Sequence, residues 1–316
     1  MSNVVLYPSI AAGHLTPMME LAKVFLERGF TVTVALLDDP MSPPTMSSTI
    51  ERVVASHPSV SFHRLRAEGA SLASGEHYLL RYFALIRQRN GQLRDFLCSW
   101  PVCAVVIDTF SVDACQLPSF HAKSKASSRE LGDTPLEFVG TPPLPASHVP
   151  QFMLENPESK IFKAFLNLWE KITEFDGIMV NTFESLESTA AGALRDNPPR
   201  FLPGRALPPV YCVRPLVKDG DGGVGAERHH CLAWLDEQPD RSVVFLCFGS
   251  EGTHRREQLT EMAVGLENSG HQFAWVVQAP RSTDPTKFFE GRADPDLEAL
   301  LPEGFSEWTS GRGLVV

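Results

Sequence analysis

Two residues whose types suit acid–base chemistry follow separate predicted strands. His14 lies in the loop SIAAGHLTPM after the first strand, just before a predicted helix start, and Asp108 ends the fourth strand. Parallel strands end at one edge of a sheet, so the carboxylate could hold an imidazole nitrogen and stabilise the imidazolium formed on proton abstraction. A helix N-terminus favours the neutral imidazole that a general base requires. The alternatives are a loop histidine that caps nearby backbone and an aspartate that caps a turn.

A second segment, FLCFGSEGTH, places a tight loop between a predicted strand and a predicted helix. Gly249, Ser250 and the neighbouring backbone amides would form, with the helix dipole, an anion site that suits a diphosphate. The loop is not a Walker A motif because no Gly-Lys-Ser/Thr follows, and Phe248 stands where the hydrolase nucleophile elbow requires glycine. The negative charge of Glu251 argues against anion binding in this loop, unless its side chain points away from the anion.

The sequence offers neither a dinucleotide fingerprint nor a metal site. The first loop lacks G-x-G-x-x-G, although Asp38 and Asp39 end the second strand where a ribose-binding acid would lie. His229 and His230 are adjacent, a spacing that points their side chains apart. We therefore predict no metal and no dinucleotide cofactor, with a nicotinamide enzyme as a weak competitor. Six cysteines without a C-x-x-C pair are interpreted as reduced, mostly buried thiols: Cys98, Cys103, Cys115, Cys212, Cys231 and Cys247.

Composition narrows the class of ligand. The 316 residues include 38 acidic and 28 basic side chains, which give a net charge of −10. Nucleic acid is therefore excluded as a partner of the whole chain, and a small or uncharged substrate is favoured. No run approaches the roughly 18 apolar residues of a membrane helix, and MSNVVLYPSI lacks a signal sequence. We predict a cytoplasmic monomer without a membrane span.

The first half of the chain alternates short β-branched runs with longer amphipathic runs, which is typical of a parallel sheet covered by helices. Strands are predicted at 3–8, 31–37, 60–65, 103–107 and 177–181. Helices are predicted at 18–28, within 77–100, at 157–175 and at 183–194, the first with Thr16 as its cap and Pro17 at its first position. The alternation of strand-like and helix-like runs stops over 115–133, which predicts an internal gap near 115–130.

Connectors rich in proline and glycine, 196–209 and 218–226, precede a second α/β unit. The predicted elements of this unit are strands at 242–248 and 271–277, a helix at 255–269 and a further strand starting at Leu314. We therefore predict a domain over 1–215 and a second, incomplete domain over 216–316. Because so few strands follow the connector, we expect Val244, Leu246, Phe273 and Trp275 to be only partly covered.

Five stretches together resemble the plant UDP-dependent glycosyltransferases that modify small lipophilic acceptors such as flavonoids and phenols in secondary metabolism. They span nearly the whole chain and are VVLYPSIAAGHLTPMMELAKVF, VVIDTFSVDA, GIMVNTFESLE, CLAWLDEQPDRSVVFLCFGS and EMAVGLENSGHQFAWVV.

The resemblance implies the GT-B fold, in which two Rossmann-like, doubly wound domains bind the acceptor (here residues 1–215) and the nucleotide sugar (here residues 216–316). It makes His14 the base that deprotonates the acceptor hydroxyl, Asp108 the acid that orients His14, and Gly249 with Ser250 a contact to the donor diphosphate. The implied reaction is an inverting transfer, with glucose as the expected sugar and UDP-sugar as co-substrate.

Two departures from the family lower the expected activity. Most of the family's helix, strand and helix after Asp108 is replaced by 115–128, and the donor box that opens with W-A-P-Q should begin after Val316. The sequence therefore favours a truncated glycosyltransferase with weak or no catalysis. Two alternatives stay open: a non-catalytic protein that binds a small molecule or a partner, and a splice or gene-model product.

Overall fold

The fold was analysed on a computed structural model of the chain. It describes residues 2–10, 12–38, 44–66, 77–114, 131–136, 140–149, 154, 156–196, 207–217, 229–249, 252, 254–280 and 294–316. Two compact units are present, Met1–Asp219 and Gly220–Val316. Their assignment to acceptor and donor binding stays a prediction.

The first unit is built on a parallel sheet of four described strands, in the order β3-β2-β1-β4. The strands are β1 (Asn3–Tyr7), β2 (Thr31–Leu37), β3 (Ser61–Leu65) and β4 (Val102–Ile107). Residues 4–7 of β1 are all buried, since β1 lies between β2 and β4 and is covered on both faces. The apolar run of β1 is the sequence signal of such a central strand.

The helices of the first unit are α1 (Ala12–Glu27), α2 (Pro44–Ser56), α3 (Tyr78–Ser99), α4 (Lys160–Ile172) and α5 (Ser188–Asp196). The prediction missed α2 altogether and began α5 at residue 183, several residues too early. Ser159 caps α4 by accepting a hydrogen bond from the Phe162 amide. Short antiparallel strands β5 (Pro135–Leu136) and β6 (Leu144–Pro145) form a separate pair.

Helix α1 corrects the predicted start at Thr16, because it begins four residues earlier and contains Pro17 in its interior. Proline lacks the amide that would bond to the carbonyl of Gly13, which costs about 3 kcal/mol in a helix interior. Leu15, Met19 and Ala22 are nonetheless buried against the sheet. Burial of each large apolar side chain contributes about 1.5–3 kcal/mol, which outweighs the local cost.

The predicted strand at 177–181 forms apart from the main sheet. It is β7 (Ile178–Asn181), and it pairs in parallel with β8 (Val210–Val213), a strand that the sequence did not predict. In the part of the chain that the structure describes, β4 pairs only with β1, and Cys103 and Ala104 of β4 are exposed. The predicted gap at 115–130 lies outside the described residues.

The second unit has a parallel three-stranded sheet in the order β11-β10-β9. Its elements are α6 (His230–Asp236), β9 (Val243–Leu246), α7 (Arg256–Ser269), β10 (Gln272–Trp275), α8 (Leu297–Leu300), α9 (Phe305–Trp308) and β11 (Gly313–Val315). Arg312 secures the end of α7, because its guanidinium donates hydrogen bonds of 3.0–3.1 Å to the carbonyls of Leu266, Glu267 and His271.

The expected partial coverage of this sheet is wrong for its central strand. Phe273 and Trp275 of β10 are fully buried, because α7 and α9 supply Leu259, Ala263 and Phe305 against them. Exposure is confined to β9, where Val244 is 42% and Phe245 67% exposed. An edge strand has fewer neighbours than a central one, which accounts for the difference.

The cysteines also depart from expectation, since none of the described ones is buried. Cys98, Cys103 and Cys247 are exposed, and Cys212 and Cys231 are half-buried free thiols. Cys103 lies on β4, and no described strand pairs with the outer edge of β4. Cys247 follows β9, which is also an edge strand. Cys115 lies outside the described residues. No described helix has the length and hydropathy required to cross a bilayer.

Candidate active site

His14 and Asp108 meet at the carboxyl-terminal edge of the four-stranded sheet. The Nδ1 atom of His14 lies 3.0 Å from Oδ2 of Asp108, within hydrogen-bond distance. Their side chains are 34% and 13% exposed, so the carboxylate is the more sheltered partner. His14 and Asp108 are 94 positions apart in the sequence. They come together because β1 and β4 are neighbouring parallel strands.

The local backbone fixes both side chains. His14 lies in the first turn of α1, and not in a loop before the helix as predicted, because α1 begins at Ala12. The Asp108 amide donates to the carbonyl of Tyr7, which continues the β1–β4 ladder by one bond. Its Oδ1 atom accepts from the Phe110 amide at 3.0 Å. Asp108 thus caps the following turn and contacts His14 at the same time. Its catalytic role stays a prediction.

Aromatic rings form an apolar wall beside the imidazole. The Phe110 ring meets His14 edge to face, with centroids 5.3 Å apart. Phe165 of α4 packs edge to face on Phe110 and on Phe83 of α3. Phe83 and Phe165 are buried, so they hold the Phe110 ring in place beside the imidazole.

A buried hydroxyl cluster supports the turn after Asp108. The Tyr82 hydroxyl lies 3.1 Å from Oγ of Ser111, and the Ser111 amide donates to the carbonyl of Asp108. Burial raises the pKa of the Tyr82 phenol to about 12, and hydrogen bonds with Ser111 and Ser9 oppose that rise. Burial also raises the pKa of Tyr7. Sequence analysis missed this cluster, because Tyr82 reads as one more apolar position of α3.

A cavity of about 590 Å³ lies next to the His14–Asp108 pair. We name it the strand slot. Its lining residues come from α1, from β4 and the turn after it, and from the segments that end α4 and form β7 and β8: Gly13, His14, Pro17, Met18, Leu21, Cys103–Thr109, Ile172, Phe175–Met179, Asn181, Tyr211, Val213 and Leu216. Its volume lies within the roughly 300–1,000 Å³ range of small-molecule sites.

The predicted diphosphate loop is described only in part. Gly249 has φ +71°, a left-handed conformation that favours glycine, whereas Ser250 and Glu251 lie outside the described residues. Gly252 packs so closely on Phe248 that a Cβ would collide with the Phe248 carbonyl. The loop leads into α7, where the Arg255 amide donates to the side chain of Gln258.

Metal binding finds no support in the described residues. They contain no group of three or more His, Cys, Asp or Glu side chains placed to hold an ion. The N-cap His229 instead accepts a hydrogen bond from the Cys231 amide at the start of α6.

Comparisons with known proteins place the chain in a family. No protein-family model matches it. It is 33% identical to UDP-glycosyltransferase 88F4 of Malus domestica over 357 residues, covering 99% of this chain and 73% of the relative. It is 34% identical to phloretin 2'-O-glucosyltransferase of Malus domestica over 365 residues, again covering 99% and 73%. Both alignments are longer than the chain, so the relatives carry segments without a counterpart here.

A solved structure matches over the full length of the chain. UGT2 of Phytolacca americana, complexed with UDP-2-fluoro-glucose and pterostilbene, superposes with a TM-score of 0.75 at 28% identity, covering 100% of this chain and 71% of that one. The fold is thus the GT-B fold of sugar transferases. The chain belongs to the plant family of UDP-glycosyltransferases of the small-molecule, flavonoid and phenol type, and spans about 72% of the length of such relatives.

Proposed function

We propose that the first unit binds a phenolic acceptor and that His14 activates its hydroxyl for attack on UDP-glucose. The observation that carries this proposal is the 3.0 Å contact between His14 Nδ1 and Asp108 Oδ2. An imidazole held through Nδ1 has Nε2 as the nitrogen that takes a proton. The arrangement is that of a general base with an orienting carboxylate.

The reaction is a single displacement at the anomeric carbon. The acceptor O–H proton moves to Nε2 of His14 while the oxygen forms a bond to the anomeric carbon. The bond from that carbon to the phosphate oxygen breaks, and UDP leaves with the electron pair. Attack from the face opposite to the leaving group inverts the configuration. Asp108 stabilises the imidazolium, and Gly249, Ser250 and the α7 N-terminus stabilise the diphosphate.

The choice of acceptor class is supported by the relatives and by the wall of the site. One relative is a phloretin 2'-O-glucosyltransferase, and one matching structure holds pterostilbene with a UDP-sugar analogue. Both acceptors are phenols. In this chain the half-buried Phe110 ring lies edge to face beside His14, and the buried Phe165 ring packs against it.

Incubation of the purified 316-residue chain with labelled UDP-glucose and a flavonol tests the proposal. We expect a β-glucoside that is formed by the wild-type chain and lost in His14→Ala. Equal amounts of product from the wild-type chain and from His14→Ala would show that His14 does not act in the reaction. The low turnover expected from the sequence stays a prediction, and turnover comparable to that of longer relatives would contradict it.

A second candidate function is binding without catalysis, either of a small molecule or of a protein partner. The favouring observation is the outer edge of β4, which no described residue pairs. An open strand edge can accept another strand. Titration with flavonols, and sedimentation of the chain alone and with a longer relative, test this candidate. Absence of binding in both experiments would exclude it, and the same sedimentation run tests the predicted monomer.

A further inference from the structure

Two separate segments that leave the sheet carry His14 and Asp108. The segment after β1 contains Ser9 and Ile10 and leads into the first turn of α1, where His14 lies. The turn after β4 starts at Asp108 and contains Ser111. Strand pairing ends before both side chains, so it aligns the strands but does not by itself fix the distance between the imidazole and the carboxylate. That distance depends on how the two segments are held.

One buried hydroxyl joins the two segments. The Tyr82 hydroxyl, which belongs to α3, lies 3.1 Å from Oγ of Ser111. It also makes a hydrogen bond with the Ser9 side chain and accepts one from the Ile10 amide. A phenolic hydroxyl both donates and accepts hydrogen bonds, so it serves both segments at once. Tyr82, Ser9 and Ser111 are all buried, so bulk water does not compete for these bonds.

The helix that carries Tyr82 is a firm support. Phe83, Leu85 and Ile86, which follow Tyr82 along α3, are at most 1% exposed. Closely packed interiors transmit displacement and do not absorb it. Because α3 belongs to neither segment, it holds both of them at a fixed distance from a third element.

A neighbouring phenol shows that burial alone does not create such a link. Tyr7 ends β1, is fully buried and interacts electrostatically with Tyr82. Its hydroxyl nevertheless has no hydrogen-bond partner among the described residues. Two buried phenols therefore lie in the same region, and of the two hydroxyls only that of Tyr82 joins the segments.

We propose that Tyr82 is a positioning residue, whose hydroxyl sets the spacing of the two segments and so keeps Nδ1 of His14 against Oδ2 of Asp108. It acts through Ser9, Ile10 and Ser111. A misplacement of about 1 Å can lower the rate of a catalysed reaction about 100-fold, so the spacing matters for transfer. The effect on transfer rests on the proposed function, whereas the effect on the contact between His14 and Asp108 does not.

Nitrogen NMR of the 316-residue chain with isotope-labelled histidine measures this contact without any reaction. At about pH 8 imidazole is ordinarily neutral, and a hydrogen bond from Nδ1 to a carboxylate selects the tautomer with its proton on Nδ1. We expect this single tautomer for His14 in the wild-type chain, where the signals are assigned by their loss in His14→Gln. Tyr82→Phe should populate both tautomers. Tyr7→Phe is the matched control and should keep the wild-type spectrum, because it removes a buried hydroxyl without a partner.

Ser111→Ala keeps the inference testable if Tyr82→Phe does not fold. It removes the link on the Asp108 side alone, so it should also populate the second tautomer. The wild-type tautomer in every folded variant would overturn the inference. So would two tautomers in the wild-type chain, or an equal change in Tyr7→Phe, which would indicate general loosening of the packing.

A product assay with UDP-glucose and a flavonol adds the functional measurement. Tyr82→Phe should lower kcat about tenfold or more and leave KM within about twofold, since Tyr82 positions the base and does not touch the acceptor. Tyr7→Phe should retain the wild-type kcat. Absence of product from the wild-type chain would contradict the proposed function, and the NMR spectra would still decide whether Tyr82 positions His14.

Discussion

The buried Tyr82 phenol makes the stability of the first unit depend on alkaline pH. Burial raises its pKa from 10.0 to about 12 in the folded chain. Above pH 10 the unfolded chain therefore loses this proton first, and ionisation favours unfolding. The contribution of the neutral phenol is complete below pH 10 and is lost as the pH rises through about 12.

The size of the effect follows from the two pKa values. One pKa unit corresponds to about 1.4 kcal/mol, so a rise of about two corresponds to about 2.7 kcal/mol when the loss is complete. At pH 11, one unit above the ordinary value, about half of this amount should be gone. Tyr82→Phe removes the ionisable group and also the contact with Ser111, and loss of that contact costs about 1 kcal/mol at every pH.

Urea unfolding of wild type and Tyr82→Phe between pH 8 and pH 11 measures the effect. The stability of wild type minus that of Tyr82→Phe should fall by about 1.4 kcal/mol over this interval, from about +1 kcal/mol at pH 8 to slightly below zero at pH 11. Leu85→Val, a buried change in the same helix without an ionisable group, should show a constant difference. An advantage of wild type over Tyr82→Phe that stays constant or widens would refute the assignment of a buried, neutral phenol beneath Asp108.

Three further predictions concern the candidate site and the second unit. Asp108→Asn weakens the charge-assisted contact to His14, so transfer should fall roughly tenfold or more in a product assay, and an unchanged rate would contradict the role of Asp108. Gly313→Ala drives a methyl group into the ring of buried Phe273, and chemical denaturation should show a loss of about 1–3 kcal/mol in the second unit. Phe245→Lys replaces an exposed ring on β9, so light scattering should show less aggregation of the concentrated protein at unchanged stability.

The buried central strand of the first unit and its neighbour β2 are predictable from sequence, whereas the short strands β5, β6 and β8 were missed. β1 is an apolar run after Asn3 and β2 is rich in β-branched residues, and the bounds of both strands were predicted to within a residue. Helix starts are less predictable, because tertiary packing decides them. Pro17 has the local properties of a first helical residue, yet packing of Leu15 against the sheet draws the helix start back to Ala12. The weak apolar pattern of α2 gave no comparable signal.

The residues of the candidate site also differ in how far the sequence predicts them. His14 and Asp108 could be placed together because the rule that parallel strands end at one sheet edge needs only the strand assignments. The support from Tyr82 and Ser111 could not be predicted, since it depends on which face of α3 meets the turn after β4. The strand slot depends on β7 pairing with β8 instead of β4, and no local pattern reports pairing between strands.

The hydrogen bonds of Arg312 have a consequence for the order in which the second unit can assemble. The carbonyls that they satisfy belong to the end of α7 and to His271, which are synthesised well before Arg312. During translation the end of α7 is made before Arg312 can donate hydrogen bonds to it. The residues that form the sheet of the first unit are made earlier still. In a series of purified chains that end at successive positions, the second unit should therefore become resistant to proteases abruptly when residue 312 is included, and not gradually with each added element.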